Sequence, residues 1–272
     1  MKKILVPTDF SKLASMAARY AADMAKAIKG EIVLVNVVEL EHGNSRAINW
    51  KKLREQMILD AGNQLADAVN ELSEYSPGIK ITSSTLLSAP IERRIIDFAH
   101  DNDIDIIVIG TRGASGLRAI VLGSNTAALI NHSDIPVIAV PEGAKFNGLR
   151  RIVLATDMVN LDAHTRQVVK LGKIFNSRID VLHISNTETP ASAHEELKAM
   201  LKHFTGYNDI ELHVVPGEDL VVSLNSYVVD SKADLLVMFT HKLSLIEKLF
   251  GLGNTRKVAF QSEVPLLAYK KD

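Results

Sequence analysis

One stretch of this chain is written twice. Arg151-Ile152-Val153-Leu154-Ala155-Thr156-Asp157 echoes Lys3-Ile4-Leu5-Val6-Pro7-Thr8-Asp9 at an offset of 148 residues, and Ile179 to Ile184 echoes Ile32 to Val37 at 147. Further on, Ala233 to Met238 echoes Ile104 to Ile109, and Val264-Pro265-Leu266 echoes Ile135-Pro136-Val137, both at 129. An offset that holds across the final third marks a duplicated folding unit. It falls from 147 to 129 between the second and third strands, so the second copy is expected to carry the shorter middle helix.

Within the first copy, apolar runs alternate with helical periodicity. Ile4-Leu5-Val6, Ile32–Val38, Ile79–Leu87, Asp105–Ile109 and Ile135–Val140 read as strands. Between them, Leu13, Ala17, Tyr20, Ala21, Met24 and Ile28 form one helical stripe after a Ser11 N-cap. Trp50, Leu53, Met57, Ala61, Leu65, Ala68 and Leu72 form a second, longer one, expected to face the core. A third helix follows Pro90, and a short one follows the glycines after Ile109. Near-continuous apolar strands separated by helices indicate a parallel sheet covered on both faces. The expected domains are 1–142 and 149–272, joined by a linker with Gly143, Asn147 and Gly148.

Composition narrows the function classes. The 272 residues are 47% hydrophobic and 23% charged, with a formal net charge of -1. That balance offers no basic field for nucleic acid and no polybasic tail for anionic lipid. There is no cysteine, which removes disulfides and thiolate chemistry. Lys2 and Lys3 precede an apolar stretch that Pro7, Asp9 and Ser11 soon interrupt, too short for a signal peptide. With no run of membrane-span length, the expected location is cytoplasmic.

Glycine spacing points to the chemistry. After Asp105–Ile109 come Gly110, Gly113 and then, beyond nine intervening residues, Gly123-Ser124. Glycines let backbone approach a phosphate closely, and the first N–H groups of the following helix point at it. Neither a G-x-x-x-x-G-K-[ST] loop nor a G-x-G-x-x-G after the first strand is present. In an open parallel sheet, ligands bind beyond the strand carboxyl ends, so Pro7-Thr8-Asp9 is expected to share the crevice with the glycines.

These elements together resemble the universal stress protein family in its tandem form. The resemblance rests on Ile4-Leu5-Val6-Pro7-Thr8-Asp9-Phe10-Ser11, on G-x2-G-x9-G-[ST] at Gly110, Gly113, Gly123 and Ser124, and on Ile135-Pro136-Val137. It implies an α/β chain of two tandem, doubly wound, five-stranded parallel-sheet domains of the adenine-nucleotide alpha hydrolase-like fold. It implies that Asp9, flanked by Pro7 and Thr8, meets the adenosine portion of ATP or AMP, and that Val37 lines the adenine pocket. Gly110, Gly113 and Gly123, with Ser124, Asn125 and Thr126, would hold ribose and phosphates, and Arg112 would add a cation in the loop. Mg2+ accompanying the nucleotide and homodimerisation of the whole chain stay open; pairing of the two domains through their terminal strands is expected.

The second copy is expected to lack a tight site. At an offset of 129, Gly110 becomes Phe239, Gly113 becomes Lys242, Gly123 becomes Leu252 and Ser124 becomes Gly253. Six histidines (His164, His183, His194, His203, His213 and His241) fall in this half without an obvious zinc-ligand pattern. The expected function is a non-catalytic, nucleotide-binding stress-response sensor or interaction protein. A slow ATPase or phosphotransferase and a ligand-free assembly protein are the alternatives. Turnover is disfavoured because Asp9 is the single candidate carboxylate and no P-loop lysine exists.

Overall fold

A computed structural model describes residues 1–39, 50–87, 90–111, 122–185, 191–240 and 264–270. The described residues up to Gly143, Leu122 excepted, form one compact unit, and those from Ala144 onward form another.

The first unit alternates β1 (Lys3–Pro7), α1 (Lys12–Ile28), β2 (Glu31–Val38), α2 (Trp50–Tyr75), β3 (Lys80–Leu87), α3 (Ile91–Asp101), β4 (Ile106–Gly110), α4 (Ser124–His132) and β5 (Val137–Val140). Its strands lie parallel in the order β3-β2-β1-β4-β5. The chain therefore reverses its direction of travel across the sheet between β1 and β4, which opens a crevice at their carboxyl ends. Helix α1 packs against α2 and α3 against α4, as right-handed crossovers on opposite sheet faces require.

The strand cores are fully buried: Ile4, Leu5, Val6, Ile32, Ile107, Val108 and Ile138 are each 0% exposed. Helix α1 lies close to the sheet because its inner face is small: Ala14, Ala17, Ala18, Ala21, Ala22 and Ala25 are all buried. The Ser11 hydroxyl accepts from the Ala14 N–H at 3.2 Å and caps its start. At its end Lys29 adopts a left-handed φ of 53° and the Gly30 N–H reaches the Ala25 carbonyl at 2.8 Å. A Cβ on Gly30 would stand 2.6 Å from the Lys2 carbonyl oxygen, so only glycine fits there.

The α2 stripe departs from expectation. Ala61, Leu65 and Leu72 are buried, whereas Trp50 is 37% and Leu53 41% exposed. Periodicity marks which residues share a helix face. It does not say how far the sheet beneath extends.

The second unit repeats the plan with β6 (Arg151–Ala155), α5 (Leu161–Phe175), β7 (Arg178–Ser185), α6 (Ala191–Thr205), β8 (Ile210–Pro216), α7 (Leu220–Asp230), β9 (Leu235–Thr240) and β10 (Leu266–Lys270). Its strands are parallel in the order β10-β9-β6-β7-β8. The middle helix α6 has 15 residues against 26 in α2, which accounts for the larger part of the drop in repeat offset. The residues read as a linker fold partly onto this unit: Leu149 is 1% exposed, its carbonyl accepts from the Ser177 hydroxyl, and Phe146 meets Phe175 edge-on at 5.7 Å.

The echoed aspartates are structural. Asp105 Oδ2 accepts from the Lys2 and Lys3 N–H groups at 2.7 and 2.9 Å, and Asp234 Oδ2 accepts from the Arg151 N–H at 2.8 Å. Each tethers the start of its unit's first strand.

A buried charge occurs in the second unit. Asp180, on β7, is 0% exposed. It accepts from Arg178 Nε at 2.9 Å, Arg151 Nη1 at 3.3 Å and Tyr227 Oη at 3.3 Å. Burial by itself would raise its pKa. The surrounding donors and charges of His213, Arg178 and Arg151 outweigh that and bring it to about 2. His213 Nε2 stands 3.6 Å from Oδ1, an electrostatic contact too long for a hydrogen bond.

Candidate functional site

The turn after β1 is built from its own side chains. Thr8 N–H donates to the Val35 carbonyl at 2.8 Å, continuing the β1–β2 pairing. The Thr8 hydroxyl then accepts from the Phe10 N–H and Asp9 Oδ1 from the Ser11 N–H, both at 3.0 Å. Two such side-chain turns in succession force Phe10 into a left-handed φ of 63°, unusual for a bulky residue. Across the turn, Asn36 Nδ2 donates to the Thr8 carbonyl at 2.8 Å.

The glycine end is organised from β4 and α4. Thr111 N–H donates to the Val140 carbonyl at 3.0 Å, and the Gly123 N–H returns to the Thr111 carbonyl at 2.6 Å. Gly123 is the α4 N-cap and has no side chain to cap with, so among the described residues no side chain caps the N–H groups that open the helix. The Thr126 hydroxyl, 3% exposed, donates to the Gly110 carbonyl at 2.8 Å and ties α4 to the end of β4. Thr126 therefore shapes the seat with its hydroxyl, while Ser124 and Asn125 are exposed.

These two ends line one crevice. Pro7, Thr8, Asp9, Val37, Gly110, Gly123, Ser124, Asn125 and Thr126 all contribute to its wall. Arg112 and Gly113 lie outside the described residues. Sequence reasoning missed Ala14, Val35, Asn36, Ile91, Ile95 and Ile109, the other described residues of the lining. Ile91 and Ile95 come from α3, and no local signal links a helix five elements further along the chain to the β1 turn. Asn36 could have been noticed as a polar residue within an apolar strand run.

The second unit keeps the turn and carries Phe239 at the register position of Gly110. Met158 N–H bonds the Thr156 hydroxyl and Val159 N–H bonds Asp157 Oδ1, each at 3.0 Å, with Met158 at φ 68°. His183 Nδ1 meets the Thr156 carbonyl at 2.9 Å, the role Asn36 has in the first unit. Where β4 and β5 pair Gly110 with Val140, β9 and β10 pair Phe239 with Tyr269. The Phe239 ring is stacked between His164, at 3.9 Å and 14°, and Tyr269, at 4.7 Å and 9°. Burial pushes the Tyr269 hydroxyl up to about 12. Lys242, Leu252, Gly253 and His241 are outside the described residues, as is the His194 side chain. Among the described residues no three His, Cys, Asp or Glu side chains are grouped to hold a metal.

Comparison with known proteins decides the family. Residues 1–141 match the profile described as Universal stress protein family. The chain belongs to the universal stress protein family. It is 32% identical over 146 residues to universal stress protein MJ0531 of Methanocaldococcus jannaschii, covering 53% of this chain and 84% of that one. Universal stress protein Slr1230 of Synechocystis aligns over 99% of this chain and 100% of its own at 24% identity, so the tandem form extends through both units. The crystal structure of a universal stress protein from Archaeoglobus fulgidus superposes with a TM-score of 0.74 at 20% identity, over 99% of this chain and 96% of that one. It shares the fold. Among the described residues, no helix of this universal stress protein is long and apolar enough to cross a membrane.

Proposed function

We propose that the first unit binds an adenine nucleotide of the ATP or AMP type, without turning it over, and that occupancy acts as a signal in the stress response. The observation that carries this reading is the convergence of two chemistries on one crevice: helix N–H groups that no described side chain caps, beside Gly110 and Gly123, and an apolar pocket beside Asp9 and Val37. The first suits phosphate and the second suits a base and ribose. Asp9 is the one carboxylate among the described lining residues, and its Oδ1 already closes the turn on Ser11. A general base for hydrolysis is not evident there, which favours binding over catalysis. Mg2+ would then arrive with the phosphates rather than on a protein cage.

The second unit, in this reading, is a structural copy, and the boundary between the two domains falls within 142–149. Calorimetry with ATP, ADP and AMP, with and without Mg2+, tests the proposal. One site per chain is expected, and co-purified nucleotide would agree with it. Absence of binding at millimolar nucleotide would refute it and leave the assembly-protein reading.

A further inference from the structure

We propose that Asn36 selects the base: its Oδ1 accepts a hydrogen bond from the exocyclic amino group of a 6-aminopurine. This rests on the nucleotide reading of the crevice and names the residue that makes it an adenine site. Asn36 lies toward the carboxyl end of β2, next to Val37, and both line the crevice. Its Nδ2 donates to the Thr8 carbonyl at 2.8 Å. A carbonyl can only accept, so this bond fixes which end of the amide is nitrogen and holds the plane of the group. Among the described residues no donor pairs with Oδ1, and that oxygen is not among the sealed-off polar atoms of the interior. Asn36 therefore presents an acceptor of fixed orientation at the crevice wall.

An acceptor held in place discriminates by sign. A 6-amino group offers it a hydrogen, whereas a 6-oxo group brings a second lone pair against it. A site built to satisfy one hydrogen-bonding pattern rejects the analogue that leaves its polar group unpaired.

The second unit separates the two roles of this residue. His183 stands at the equivalent position and makes the same bond to the carbonyl of Thr156 at 2.9 Å. With Nδ1 on the carbonyl, the imidazole places its Cδ2–H where an asparagine would place Oδ1. The turn is kept and the acceptor is gone, in the unit whose glycine seat is replaced by Phe239. Asn36→His in the first unit should do the same.

The test is calorimetric titration of the full chain with ATP, ITP, purine riboside triphosphate (hydrogen at C6) and tripolyphosphate, for wild type and Asn36→His. Wild type is expected to bind ATP at least about tenfold more tightly than ITP, with the C6-hydrogen analogue between them. Asn36→His should bring ATP and ITP to nearly equal affinity, leave tripolyphosphate unchanged and keep its thermal midpoint. Equal wild-type affinity for ATP and the C6-hydrogen analogue overturns the assignment without needing any variant. So does an ATP preference that survives in folded Asn36→His. If neither ATP nor tripolyphosphate binds wild type, the nucleotide reading falls as well, an outcome distinct from loss of base selection alone.

Discussion

The rings of His164 and Phe239 stack 3.9 Å apart and 14° from parallel, at the register position that Gly110 holds in the first unit. Tyr269 closes the other side of the Phe239 ring. Where the first unit keeps this strand end free of side chain, the second fills it with three aromatic rings. The duplicated β-turn survives beside it because its hydrogen bonds stabilise the fold whether or not a ligand follows.

Nucleotide stoichiometry should therefore be one per chain. Gly123 has an extended φ of −61° that valine also adopts, so Gly123→Val should fold normally. Its branched side chain would crowd the anion seat and abolish ATP binding in calorimetry. Phe239→Ala should leave that binding intact while lowering stability by about 2 kcal/mol, less than the ~3–5 of a fully buried phenylalanine. Unchanged ATP affinity in folded Gly123→Val would place the phosphates elsewhere.

Acid should weaken the second unit through Asp180. Its carboxyl titrates at about 2 when folded, against 3.8 for the free side chain. Because the folded value is depressed, the stabilisation is present above the unfolded pKa and is lost as pH falls from about 4 to about 2; the gap corresponds to about 2.5 kcal/mol. Denaturant unfolding of wild type and Asp180→Asn from pH 5 to 2.5 should show the two curves converging toward the acid end. A constant difference across that range would show that the ion cluster does not titrate this way.

The Thr126 hydroxyl holds the Gly110 carbonyl in a buried position. Thr126→Val preserves shape and removes the donor, so stability should fall by about 1–2 kcal/mol. ATP affinity should fall with it, because α4 is no longer tied to β4. Thr126→Ser should restore most of both in parallel unfolding and binding measurements.

Backbone strain at the end of α1 provides a pair of opposite effects. Lys29 is exposed at a left-handed φ of 53°, so Lys29→Gly should raise stability by about 0.5–1 kcal/mol without changing nucleotide affinity. One residue on, Gly30→Ala drives a Cβ to 2.6 Å from the Lys2 carbonyl oxygen and should cost about 1–3 kcal/mol. Thermal denaturation distinguishes the two signs directly.

The duplication, the strand runs and the glycines at the end of β4 and the start of α4 were all legible in the sequence because each is a local or periodic property. A buried parallel strand must be apolar throughout, and a shorter middle helix must shift the repeat offset. The same locality explains the over-reading of α2. Trp50 and Leu53 share a helix face with Leu65 and Leu72, yet they lie exposed, and a seven-residue period cannot report the extent of the sheet.

By itself, then, the sequence determined the fold class, the two copies and which copy carries the glycines. Tertiary structure alone decided that Asn36 meets Thr8, that Ile91 and Ile95 wall the crevice, that Asp180 is buried among two arginines, and that Phe239 lies between His164 and Tyr269. Each of these contacts joins residues from different strands and helices. Strand order and crossover handedness bring them together, and neither is a property of any local stretch of chain.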